Sequence, residues 1–199
     1  MRKRGHSMSK LHALTVVVSV AAGVFLLASG SWAQEALTAK LHATGMALVS
    51  RGDAGLAMIE LSAHGPEWKH APQESGTADS SDLPNQAGMR FVGTLPIPNT
   101  DGGAIEYSET VRALPQGLQF EYDLAMTGAM RLNGLQVSVY LPVARYGGQE
   151  VVITASQGDP EITGFPEEQE EGTFRGWSGS GAKVEVAKDT DDAVTIELR

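Results

Sequence analysis

Residues 118–126 read Leu118-Gln119-Phe120-Glu121-Tyr122-Asp123-Leu124-Ala125-Met126. Leu118, Phe120, Tyr122, Leu124 and Met126 share one parity, and Gln119, Glu121 and Asp123 hold the other. A period of two is the signature of a strand with one buried and one wet face. The same alternation recurs at Leu135, Val137, Val139 and Leu141, at Ile105, Tyr107 and Val111, at Met89, Phe91 and Leu95, and at Val194, Ile196 and Leu198. It predicts half-buried antiparallel sheet.

Turn-forming residues punctuate these runs. Asn99 to Gly103 precedes one strand, Pro115 to Gly117 the next, Gly147-Gly148 precedes Val151 to Ile153, and Lys188 to Asp192 separates the last two. Met46 to Val49 and Leu56 to Leu61 flank Arg51-Gly52-Asp53-Ala54-Gly55 and predict a further hairpin. The strand spacing predicts an all-β fold of about nine or ten strands, an antiparallel two-sheet β-sandwich of jelly-roll type. Beyond residue 33 no stretch sustains a helical period over three turns. Two segments are expected to be loops on composition: Gly65 to Gly88, expected to be long and mobile, and the glutamate-rich Gly158 to Gly172.

The first 33 residues stand apart. Arg2, Lys3, Arg4 and Lys10 precede an apolar run from Leu14 through Leu27, which is followed by Ser31-Trp32-Ala33. A basic start, an apolar centre and small residues three and one before a cut predict a secretory signal helix removed after Ala33. The rival is an uncleaved anchor, because Leu11 to Ala28 reaches the length of the shortest spanning helices, roughly 17 residues. Polar Gln34 and Glu35 directly after Ala33 favour the cut. The expectation is therefore an exported chain, periplasmic or extracellular, with one domain over residues 34–199 and no later stretch suited to crossing a membrane.

With no cysteine, the chain forms no disulfide and carries no lipoprotein anchor, so its core alone must hold it. A chain of this size buries roughly 70% of its unfolded surface, which is sufficient. Four of the 15 basic residues and none of the 24 acidic ones lie before residue 34, leaving 11 against 24 and a net charge of −13. Such a surface repels phosphate backbones, so nucleic acid is excluded as an expected partner.

Several clusters invite a chemical role. Glu167, Glu168, Glu170 and Glu171 resemble paired glycosidase carboxylates in type, yet a run of acids beside Pro and Gly predicts a solvated loop. His64, Glu67 and His70 suit zinc by residue type but not by helical spacing. Gly176-Trp177-Ser178-Gly179-Ser180-Gly181 misses the nucleophile elbow at Ser180. Asp189, Asp191 and Asp192 suit calcium, and suit a hairpin turn better. Arg51-Gly52-Asp53 is explained as a turn. Trp177, Tyr146 and Trp68 fall in loops or strand ends and are the candidate ligand-binding residues, as an aromatic platform for sugars. Tyr140, on the polar parity of its strand, is an additional exposed-ring candidate. The chain is only 6% aromatic, which weighs against a carbohydrate binder and for packing roles.

Asp101-Gly-Gly-Ala-Ile-Glu-Tyr107, Gly117-Leu-Gln-Phe-Glu-Tyr-Asp-Leu124, Leu135-Gln-Val-Ser-Val-Tyr-Leu-Pro142 and Tyr146-Gly-Gly148 together resemble the N-terminal β-sandwich of some secreted bacterial glycoside hydrolases. The resemblance spans residues 101–156. It implies a non-catalytic accessory module whose partner is a polysaccharide or a hydrolase, because in that family the catalytic carboxylates belong to a separate barrel. No residue is accordingly assigned a catalytic, metal or cofactor role. A small jelly-roll glycosidase and a cell-envelope structural or assembly protein are the alternatives.

Overall fold

The structure is a computed structural model. It describes residues 13–14, 23–27, 36–84, 87–115, 117–168 and 182–198, with the backbone alone described for 13–14, 23–27 and 198. In chain order the strands are β1 (Ala13–Leu14), β2 (Gly23–Leu27), β3 (Leu37–Leu41), β4 (Ala47–Arg51), β5 (Ala54–His64), β6 (His70–Pro72), β7 (Thr77–Asp82), β8 (Gly88–Pro96), β9 (Asp101–Leu114), β10 (Gly117–Ala129), β11 (Gly134–Tyr140), β12 (Glu150–Thr154), β13 (Glu161–Gly164), β14 (Lys183–Val186) and β15 (Val194–Leu198). The helix α1 (Val143–Tyr146) and two short 3₁₀ turns, Pro66–Trp68 and Gln73–Ser75, complete the described structure. The chain is all-β, and every strand pairing is antiparallel.

The alternating stretch is β10, and its first half keeps the expected parity: Leu118, Phe120 and Tyr122 are buried, whereas Glu121 and Asp123 are exposed. Leu124 is half-buried and Met126, expected inside, is exposed, because the strand there runs past the core. β10 pairs with β9 from Gly117↔Leu114 to Ala129↔Asp101, with a register shift between Thr127 and Ala129. Gly128, at φ 75°, supplies the backbone freedom at that irregularity. Beyond it, the hairpin belongs to a nine-stranded sheet ordered β13-β12-β14-β15-β2-β10-β9-β8-β7. A six-stranded sheet runs β1-β11-β5-β4-β3, with β6 added to β5.

Both sheets contribute to one buried cluster. Leu56, Ile59, Leu61, Val137 and Val139 come from the smaller sheet, and Phe91, Ile105, Val111, Phe120, Val151 and Ile196 from the larger. Full burial of such a side chain stabilises the fold by roughly 1.5–3 kcal/mol. The hairpin expected around Arg51-Gly52-Asp53 forms between β4 and β5, with Gly52 at φ 54°.

The two composition-based loops prove to contain strands. Gly65 to Gly88 holds β6 and β7, and Gly158 to Gly172 holds β13. β7 reads Thr-Ala-Asp-Ser-Ser-Asp and β13 reads Glu-Ile-Thr-Gly; each lies at an end of the larger sheet among the described residues. Nearly every position of both is exposed, so no apolar parity is required of them. Polar composition here marks a sheet edge. In the stretch expected to be a signal helix, the described backbone is extended: β1 pairs with β11, and β2 lies between β10 and β15. An apolar Val, Phe and Leu run is compatible with either conformation, and the surroundings decide which forms.

Phe120→Ala is expected to cost about 3–5 kcal/mol because it empties a fully buried site. Asp123→Ala, on the wet parity of the same strand, is expected to stay within about 0.5 kcal/mol of the parent. Urea unfolding of the two variants checks the parity directly; equal losses would contradict it.

Candidate functional site: an exposed tryptophan turn

Of the rings expected to form a platform, Trp68 and Tyr146 are among the described residues, and Trp68 stands in solvent with 67% of its surface exposed. It lies in the turn Pro66–Trp68 that links β5 to β6, where Glu67 and Trp68 both have φ of 58°. Left-handed backbone at a residue with a Cβ costs about 1 kcal/mol or more, so neighbouring contacts must hold two such residues in succession. Several do. Gly65 N donates to Lys69 O at 2.9 Å and Lys69 N to Pro66 O at 3.2 Å, closing the turn on itself. Asn133 ties it to the start of β11: its amide Nδ2 donates to Gly65 O at 3.0 Å and its backbone N to His64 O at 2.7 Å. Asn99 Nδ2 donates to Glu67 Oε2 at 3.3 Å from the β8–β9 turn. A Cβ at position 65 would come within 2.6 Å of Pro98 O, so glycine is required for that close approach.

His64 and His70 face each other across the β5–β6 ladder. Their rings stack at 5.1 Å with 27° between planes, and His64 meets the Trp68 indole at 5.7 Å and 59°. Burial, followed by the neighbouring His64, holds His70 below the usual imidazole range, so it is neutral at pH 7. Three rings at the base of a braced turn thus combine an apolar face with imidazole and indole nitrogens. That chemistry suits stacking on a flat, hydroxylated ligand. The zinc alternative gains nothing here: among the described residues no three His, Cys, Asp or Glu side chains gather as metal ligands.

Tyr146, also expected in the platform, is not on this surface. Tyr146 is fully buried on α1, with its ring 6.2 Å from Phe165, and burial pushes its hydroxyl pKa up. Tyr146-Gly-Gly had the look of an exposed strand end; the single helical turn that precedes the glycines folds the ring inward instead. Trp177, with the rest of the Gly-Trp-Ser-Gly stretch and Glu170 and Glu171, lies outside the described residues, whereas Glu167 and Glu168 are described and exposed. Tyr140 is half-buried, and its hydroxyl donates to Glu60 Oε1 at 2.8 Å. Asp192 pairs with Arg145, and Arg51 reaches the backbone carbonyl of Asp191, so these groups serve the β14–β15 turn.

A buried polar cluster escaped the sequence reading. Glu109 is fully buried in β9; its Oε1 accepts from Tyr122 Oη at 2.8 Å, and its Oε2 from Gln73 Nε2 at 2.6 Å. Gln73 Nε2 also donates to Thr44 O at 2.7 Å, and Tyr107 Oη donates to the same carbonyl at 2.8 Å. Gly45, at φ 100°, packs so closely over the carboxyl that a side chain there would overlap Glu109 Oε2. The legible signal was parity: residue 109 falls on the inward row of Ile105, Tyr107 and Val111, where a charge breaks the pattern. Burial pushes the Glu109 pKa up to about 8, against the lowering effect of its bonds from Gln73 and Tyr122. Sealed from water, this carboxyl joins strands instead of meeting a substrate.

Comparison with known protein families, known proteins and solved structures finds no match for this chain.

The raised Glu109 pKa has a measurable sign. Below about pH 4.5 the group is protonated in both states and contributes no pH dependence. Between there and about 8 the unfolded chain releases the proton while the folded chain keeps it, so stability falls by up to about 1.4 kcal/mol per pH unit. Above about 8 the loss levels off. Glu109→Gln should flatten the decline between pH 5 and 8 in urea titrations; an unchanged slope would assign it to other groups.

Proposed function

We propose that this chain is an exported, non-catalytic β-sandwich of jelly-roll type that binds or positions a carbohydrate polymer, as an accessory module of a polysaccharide-degrading system. One observation carries the proposal: Trp68 is held outward by a backbone that resists relaxation, with His64 and His70 beneath it. A residue kept exposed and strained at a cost in stability is a mark of a site. The sharing of one core by residues of both sheets supports the sandwich. Processing after Ala33 supplies the localisation, periplasmic or extracellular, and the net charge of −13 on the remainder suits a neutral polymer better than a polyanion. The alternative of a glycosidase with two working glutamates draws no support from Glu109 or Glu60. Their carboxyls are buried and engaged by Tyr122, Gln73 and Tyr140.

A second reading, a cell-envelope assembly protein, is favoured by the position of β2 in the middle of the larger sheet.

Retention on insoluble polysaccharides, with reducing-sugar release followed in the same wells, tests the proposal. The parent chain is expected to be retained without releasing sugar. Trp68→Ala should bind about tenfold more weakly, the loss of roughly one stacked ring, with an unchanged unfolding midpoint within about 0.5 kcal/mol. Retention indifferent to Trp68 would remove the site, and sugar release abolished by a single glutamate substitution would make the chain an enzyme.

A further inference from the structure

The segment Gly23–Leu27 belongs to two incompatible arrangements. By sequence it is the apolar centre of an export signal cut after Ala33; in the fold it is a central strand. β2 pairs with β10 from Gly117↔Leu27 to Glu121↔Gly23, and with β15 from Thr195↔Leu27 to Leu198↔Val24. Among the described residues it is the only strand joining β13-β12-β14-β15 to β10-β9-β8-β7. Removal of residues 1–33 therefore leaves two four-stranded pieces whose facing backbones, Gly117–Glu121 and Thr195–Leu198, have each lost a ladder. Two inter-strand spacings, roughly 9.6 Å, separate them, which is the width of one strand and too wide for direct pairing. Unpaired backbone groups beside buried Leu118, Phe120 and Ile196 are costly to leave empty.

We infer that the mature chain, residues 34–199, presents this slot between β10 and β15 as a binding site for an extended segment of a second polypeptide, taken up as a strand antiparallel to both flanks. The inference rests on the proposed export and cleavage, and is independent of sugar binding. The register defines the occupant. It needs at least five extended residues. The position opposite both Leu118 and Ile196, and the position opposite Phe120, must be apolar, because those three flanking side chains face the core. The position between them lies opposite Gln119 and Glu197, whose side chains are half-buried on the other parity, so a polar residue is accepted there. Basic residues flanking the segment complement a chain with a net charge of −13. Main-chain bonds give the affinity in this mode of binding, and alternate side chains give the specificity.

The test starts from a gene for residues 1–199 expressed in an exporting bacterial host, with the N-terminus of the released product fixed by mass. The probe is a synthetic peptide of residues 22–28 with appended lysines. The slot predicts that it raises the unfolding temperature of a product beginning at Gln34 by several degrees at saturation. Phe25→Lys in the peptide should change its affinity by no more than about twofold, and a peptide carrying both Val24→Asp and Leu26→Asp should bind at least about tenfold more weakly. A second arm uses the uncleaved chain with a protease site introduced between residues 28 and 34: after cutting in the folded state, labelled peptide should exchange into the slot with the same parity preference. This arm decides the question if the exported product does not stay folded. No binding in either arm, binding indifferent to parity, or a product that self-associates and excludes the peptide would overturn the inference. So would a released product that retains residues 23–27, because the slot then never opens. Polysaccharide retention by the same product judges the sugar proposal separately.

Discussion

The side-chain amide of Gln73 fastens one sheet to the other. Its Oε1 accepts from Leu61 N of β5, and its Nε2 donates both to Glu109 of β9 and to the Thr44 carbonyl in the turn before β4. Apolar contacts between sheets are tolerant of sliding, whereas three hydrogen bonds converging on one amide are not. The fully buried amide thus sets where β5 lies against β9, and Tyr107 and Tyr122 extend the same restraint along the larger sheet. The arrangement has a cost, since burying a carboxyl and an amide is favourable only when each partner is present. The removal of any one member leaves the others unpaired in the core.

The tryptophan turn shows the opposite economy. There the contacts to Asn133, Asn99 and the turn backbone spend stability to keep a large apolar ring in water. Both features arise from β5, whose interior is tied to Gln73 and whose last residue, His64, supports Trp68. A single long strand therefore links the hydrogen-bonded part of the core to the exposed Trp68, so the ring is presented on a rigid base.

Alternating apolar residues marked β8, β9, β10, β11 and β15 because each of these strands has one face on the core, and burial dictates residue type there. β7 and β13 were illegible for the complementary reason: with both faces wet, nothing about their composition distinguishes them from a loop. Glu109 was legible and passed over, an acid on a row otherwise of Ile, Tyr and Val. Tyr146 was misplaced because its burial depends on one turn of helix, too short to leave a periodic trace. Trp68 could be named as exposed from its polar surroundings, but its two histidine neighbours come together only through the β5–β6 pairing, and composition does not encode a short ladder of Ala and Pro. The extended state of residues 23–27 is equally hidden, since the same apolar run satisfies a bilayer or a sheet.

The polar end strands have a bearing on handling. β7 carries Asp79 and Asp82, and β13 begins at Glu161, so both margins of the larger sheet among the described residues bear negative charge. Two copies approaching margin to margin meet like charge before their backbones can pair, which keeps the sheet from growing into stacks. The guard is one of charge, and it weakens where salt screens it. Saline surroundings are therefore where this chain will accumulate as aggregates, while dilute solution keeps its copies apart.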